Sequence, residues 1–208
     1  VNKLKLPEGM KVPRLDEVHE SYEMVDQGRW LSFLINISEE KIDPLLRRFC
    51  GELDGTGFFI LETPTNAKEE EKLRESENSP LHRDVHYLPN LNGEGMLSIL
   101  DRYGELLIQD GMGTFGFASH ASKDEIFVGR YKITSIYAFT RDAQKYRRML
   151  NDFGIPEEEE IKTVWSTFTE QSPGECYEIE IDGMNIYDLV RALEPEGLFF
   201  AKRKVEDD

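Results

Sequence analysis

The stretch Gly111–Phe139, GMGTFGFASHASKDEIFVGRYKITSIYAF, decides the fold. Phe115 and Phe117 alternate around Gly116, Ile126 and Val128 alternate in the next run, and Tyr131–Phe139 forms a third. Turn-forming residues separate them at His120–Asp124 and at Gly129-Arg130. Period-two apolar runs broken by short polar turns predict an antiparallel meander. The glycines at 111, 113 and 116 are not a phosphate loop. Such a loop follows a strand and opens a helix, whereas here a helical pattern precedes the glycines and a strand follows. They read instead as a helix stop and as room for aromatic packing within the meander.

Working outward, Glu94–Asp110 carries Met96, Leu100, Tyr103 and Leu107 at helical spacing and stops at Gly111. Downstream, Ala143, Tyr146, Leu150 and Phe153 share a helix face, and Gly154-Ile155-Pro156 ends it. Ile161, Val164, Trp165 and Phe168 predict another amphipathic helix, followed by a strand at Cys176–Ile181, a turn at Asp182-Gly183, a short helix through Leu193 and a strand near Leu198–Val205. On the N-terminal side, Leu15, Val18, Tyr22 and Val25 predict a helix over Leu15–Asp26 stopped by Gly28, and Trp30–Ile37 a buried strand. Asp43-Pro44 reads as a helix start, with Leu45, Leu46, Phe49, Cys50 and Leu53 as its stripe. Gly57–Glu62 is a buried strand, the charged segment Thr65–Ser79 a loop or short helix, and His86-Tyr87 a short strand.

The fold expected is therefore α+β, an antiparallel β-meander with amphipathic helices packed on it, in two subdomains. Residues 1–80 form an N-terminal helical and strand region with a polar linker at about 65–80, and residues 81–208 form the region that contains the meander.

At 208 residues, 39% hydrophobic and 32% charged, the chain can bury a real core beneath a heavily solvated surface. Its 41 acids against 25 bases leave a net charge of −16, spread over both halves. That charge disfavours nucleic acid and anionic membranes as partners and favours a basic protein. No run approaches the roughly 18 apolar residues of a membrane span, and the basic, proline-containing start VNKLKLPEGMKVPRL has no apolar signal core, so neither export nor insertion is expected. Cys50 and Cys176 lie far apart in no metal or redox spacing, which points to a reducing, cytoplasmic setting with Cys50 as a small core residue.

Candidate chemistry rests on four histidines, at positions 19, 82, 86 and 120. In an extended segment His82, Asp84 and His86 project to one side, a donor set suited to zinc, manganese or iron. Two surface histidines beside a polar loop are the simpler reading, and no further ligand follows from spacing. No cofactor is therefore expected, with a divalent metal on this cluster as the alternative. His120 adjoins Ser119 and lies near Asp124, the outline of a nucleophile and base, but it falls in a hairpin turn, so no catalytic residue is assigned. Glu157, Glu158, Glu159 and Glu160 crowd one predicted helix start. A helix dipole accounts for two of them and leaves the others free for a partner.

The pattern GELLIQDGMGTFGFASHASKDEIFVGRYKITSIYAF, followed by a helix ending FGIP and by TVWSTFTEQSPGE, resembles small uncharacterised cytosolic proteins of bacteria, some of them similar to immunity proteins encoded beside polymorphic toxins. The resemblance spans roughly residues 30–200 and brings no catalytic motif. It implies a protein that works by occlusion, an acidic face covering the basic active site of a toxin. The residues expected to form that face are Asp124, Glu125, Glu157, Glu158, Glu159 and Glu160. Two other functions compete, a metal-dependent hydrolase built on His82, Asp84 and His86, and a structural or regulatory subunit.

Overall fold

A computed structural model describes residues 2–206. The chain forms, in order, β1 (Met10–Lys11), β2 (Ser21–Asp26), β3 (Leu31–Asn36), α1 (Glu39–Gly51), β4 (Gly57–Pro64), α2 (Ala67–Leu73), β5 (His82–Leu91), α3 (Gly93–Gln109), β6 (Thr114–Ser119), β7 (Glu125–Val128), β8 (Thr134–Ala138), α4 (Ala143–Asp152), β9 (Glu175–Cys176), α5 (Ile186–Leu193) and β10 (Phe199–Val205). Eight strands make one sheet in the order β10-β5-β4-β6-β7-β8-β3-β2, and β1 pairs with β9 in a two-stranded ribbon. Every strand pair is antiparallel. The expected α+β class and the meander β6-β7-β8 are both present.

Alternation divides the sheet into two unlike faces. Phe33, Ile35, Phe59, Leu61, Phe115, Phe117, Ile126, Val128 and Ile136 point to one side, where they join the apolar stripes of α1, α3, α4 and α5 in a single buried cluster. Fully burying side chains of this size contributes roughly 1.5–3 kcal/mol each, so this one-sided layer dominates the stability. A second, smaller cluster of Leu4, Met10, Val18, Tyr131 and Val164 ties the N-terminal segment and the 161–176 segment together at one end of the sheet. Among the described residues, no helix is long and apolar enough to cross a membrane.

Two buried polar groups brace this frame. Lys132 is fully enclosed and donates through Nζ to the carbonyls of Leu107, at 2.9 Å, and Gly113, at 3.2 Å. Its ammonium thereby ties the end of α3 to the start of β6. Burial pulls its pKa down to about 8, against the opposing pull of Asp110. Arg83, also buried, donates to the carbonyls of Glu62 and Met112 and to the Thr114 hydroxyl.

Several local expectations are revised. The Leu15–Asp26 helix is instead a single 3-10 turn at Leu15–Glu17 and strand β2, which pairs with β3 over six residues. Gly28, at φ +83, is the turn of that hairpin and not a helix stop. Helix α1 begins before Asp43-Pro44, at Glu39, so the proline lies inside the helix and Asp43 pairs with Arg47. The Ile161–Phe168 segment is no helix but a short 3-10 turn at Val164–Thr167, its aromatic residues packed on Tyr131. The 176–181 strand shrinks to β9, while β5 extends across ten residues instead of the two foreseen. Strands from residues 1–80 and from 81–208 share the one sheet, and the 65–80 segment, which contains α2, connects its neighbours β4 and β5.

Gly116 shows how tightly the centre of the sheet is set. A Cβ there would stand 2.4 Å from the carbonyl oxygen of Ile126 and 2.9 Å from the ring of Phe127. Gly116→Val should therefore break the β6–β7 pairing and cost about 3 kcal/mol, read from the urea midpoint. An unchanged midpoint would show that β6 and β7 can separate freely.

Candidate functional site

The strands turn their other side chains away from the helices, and this second face is where the sheet meets its surroundings. Phe58 and Ile60 of β4, Tyr87 of β5, Gly116 and Ala118 of β6, Glu125 and Phe127 of β7, Tyr137 of β8 and Leu34 of β3 belong to neither apolar cluster. The 161–168 segment covers one end of this face, where the Ile161 amide donates to Glu23 and Asn36 donates to the Lys162 carbonyl. The remainder is open, with Phe58, Tyr87, Phe127 and Tyr137 all partly exposed and Phe139 43% exposed.

Register sets the open face out in rows. Phe58 lies opposite Ala118, Ala118 opposite Glu125, and Glu125 opposite Tyr137. In the adjoining row Ile60 lies opposite Gly116 and Gly116 opposite Phe127. The small residues at 116 and 118 lie low between Phe58 and Ile60 on one side and Glu125 and Phe127 on the other, a shallow trough that the Phe127 ring fills above Gly116. Directly opposed residues approach to about 5 Å between Cβ atoms, so Tyr137 stands beside Glu125, while Phe58, two strands away from Glu125, borders Ala118. Phe58 stands edge-on to Tyr87 at 5.6 Å and against the ring of His120 at 5.3 Å, and Trp30 packs on Phe139 at 5.4 Å.

Glu125 is the polar exception in this face. Alternation gives the face three carboxylates. Glu23 accepts from the Ile161 amide, and Glu62 accepts from Lys204 at 3.1 Å and from Thr114. The carboxylate of Glu125 has no hydrogen-bond or ion-pair partner among the described residues. Burial, aided by the charge of Glu62, pushes its pKa up to about 7.

Asp124, its neighbour, faces the helices. It is buried and accepts from the Thr140 amide at 2.8 Å, the Thr140 hydroxyl at 2.7 Å and the Tyr146 hydroxyl at 2.7 Å. The hydroxyl of Tyr146 is held well above its ordinary range by burial and by this carboxylate. Asp124 thus anchors α4 to the β6–β7 turn. Alternation also sends Ser119 to the helix side and His120 to the open side, so the two do not meet as nucleophile and base; the Ser119 hydroxyl accepts from the Ser122 amide.

The four glutamates 157–160 begin no helix. Glu157 bridges to Tyr22 at the β2 edge and pairs with Arg147 at 2.8 Å, and Glu158 meets His19 at 2.7 Å. Glu159 and Glu160 are exposed. The acidic residues picked from the sequence are therefore divided between the interior (Asp124), the open face (Glu125) and the β2 edge (Glu157–Glu160).

His82, Asp84 and His86 lie at alternate positions of β5 on the helix side, as their spacing implies. Each is drawn to a different partner. His82 meets Glu70 of α2 at 3.0 Å, Asp84 takes a two-pronged bond from Arg203 and a third from Thr65, and His86 sits buried with its ring edge-on to Phe200 at 5.8 Å. Arg203 and Thr65 hold Asp84 below the ordinary carboxylate range against the penalty of burial, which in turn depresses the pKa of His86. Among the described residues no group of three or more His, Cys, Asp and Glu is placed to hold a metal ion. Cys50 is buried in the main core and its thiol is pushed up to about 12.

Comparison with family models, with curated proteins and with solved structures returned no match.

The aromatic trough was missed by sequence reasoning, although a signal existed. GFFILE is apolar in both phases of the strand period, and Phe127 and Tyr137 occupy the phase opposite Ile126 and Ile136. A strand with one solvated face should be polar in one phase. Two measurements check the assignments. Asp124→Ala should lose about 3 kcal/mol, since it strands the Tyr146 and Thr140 donors in the interior, whereas Glu159→Gln should stay within about 0.5 kcal/mol. Glu125 acts on stability with the opposite sign to a paired carboxylate. Its contribution is fully present below the ordinary value of 4.5 and is lost as pH rises through about 7. Urea midpoints should show wild type falling relative to Glu125→Gln across that window, and parallel profiles would contradict the placement of Glu125.

Proposed function

We propose that this chain is a non-enzymatic acidic binding protein, an immunity protein that works in the cytoplasm by occluding the basic active site of a cognate toxin. The observation that carries the reading is the open sheet face, a partly exposed aromatic surface with an unpaired carboxylate, on a chain of net charge −16. Aromatic side chains clustered at the centre of a patch supply binding energy when a partner excludes water from them. The diffuse negative charge supplies a different quantity. It draws a basic partner in from a distance and raises the association rate, while the same charge repels polyanions.

The groups capable of chemistry fit this division of labour. His82, Asp84, Asp124 and Tyr146 are engaged in bonds that hold elements of the fold together, which leaves their lone pairs and protons committed to structure. The groove between α1 and α3, where Glu39, Glu40 and Glu105 stand beside Asp43 and Asp101 that pair with Arg47, adds to the negative field.

The test is to purify the basic product of the adjacent reading frame and measure its association with this chain. We expect a complex that neutralises the toxin, with an association rate that falls at least about tenfold between low and high salt. Absence of a complex, or a rate indifferent to salt, would overturn the reading.

A further inference from the structure

We propose that the Glu125 end of the trough on the open sheet face is a receptor for one cationic side chain of a protein partner, an arginine or lysine seated between Phe127 and Tyr137 with Glu125 as its counter-ion. This deepens the reading of the chain as a receptor for a basic protein and rests on it.

Three observations converge on the same spot. The first is shape. Ala118, directly opposite Glu125, is small, so nothing bulky rises on the β6 side of the carboxylate, while Tyr137 rises on its other side. The second is chemistry. The negative faces of aromatic rings attract ammonium and guanidinium groups, and two aromatic residues neighbour the carboxylate, with Tyr137 directly opposite Glu125 and Phe127 two residues along the same strand. The third is the unmet requirement of Glu125. Glu23 and Glu62, the other carboxylates that alternation sets on this face, are both satisfied from within the fold, and Glu125 has no partner among the described residues.

A carboxylate held against aromatic rings with no donor is unfavourable for the isolated protein, and a neutral side chain of the same shape would relieve it. A cation from outside supplies what is missing, and the rings add attraction on its flanks. The local charges also give the site a direction. Lys202 and Lys204 lie at the β10 side of this face and Lys204 is already paired with Glu62, so the vacancy for positive charge lies on the β7–β8 side. A guanidinium fits both parts of the site, since its plane can stack on a ring while its edge meets a carboxylate in a paired fashion.

The experiment uses the full chain and two short blocked peptides that differ at one residue, arginine or its uncharged isostere citrulline. Backbone and aromatic resonances are followed during titration. We expect the arginine peptide to produce saturable shifts at Glu125, Phe127 and Tyr137, with an affinity at least about tenfold above that of the citrulline peptide. Glu125→Gln should abolish that preference while leaving thermal stability equal or higher, Phe127→Ala should weaken binding several-fold, and Glu159→Gln should change nothing. Equal shifts from both peptides, or arginine binding undiminished in Glu125→Gln, would overturn the proposal. The two readings fail separately. A toxin that binds wild type and Glu125→Gln equally well removes the cation site but keeps the immunity function, whereas arginine-selective binding without any toxin complex does the reverse.

Discussion

Strand β6 can lie at the centre of this sheet only because residue 116 has no side chain. The carbonyl of Ile126 on β7 occupies the space that a Cβ would need, and the Phe127 ring closes over the same point. Everything to either side inherits its position from this close approach. It brings Phe115 and Phe117 into the main core on one face, and on the other it leaves the space that the Phe127 ring occupies. The same absent side chain therefore serves packing on both faces of the sheet.

The polar groups of the interior follow a consistent division. Asp124 and Lys132 are both buried, and each satisfies its charge with several short bonds to fixed donors or carbonyls. Such groups are costly to remove because each would leave its partners unmet. Glu125 adjoins Asp124 in sequence but points through the sheet to the other side, where no donor awaits it. One residue of register thus separates a structural anchor from a candidate ligand for a partner.

How much of this was legible from the sequence depends on the range of the interactions. The meander and helices α3 and α4 were read correctly, because their periodicities are strong and their turns lie close by. Residues Leu15–Asp26 were misread because Leu15, Val18, Tyr22 and Val25 satisfy helical spacing, while the partner that makes the segment a strand is β3, across a glycine hairpin. Ile161–Phe168 failed for a related reason, since its aromatic residues pack on Tyr131 from a distant part of the chain. Of the acidic candidates, Glu125 came to an open face and Asp124 went inside, a distinction that alternation in β7 could have supplied. The aromatic trough depends on four strands brought together, and only its doubly apolar strands announced it.

The interleaving of the sheet has a consequence for how the protein is made. Strand β3 is synthesised well before its partner β8, which follows only after α1, β4, α2, β5, α3 and the first two strands of the meander, and β5 must await β10 to gain its second neighbour. Pairings so distant in sequence slow closure, because much chain entropy is lost before the contacts that offset it are formed. On the ribosome the β2–β3 hairpin therefore emerges with an apolar face and no sheet to receive it. The period of vulnerability to chaperones and proteases is set by the order of strands, and it lasts until β10 has emerged.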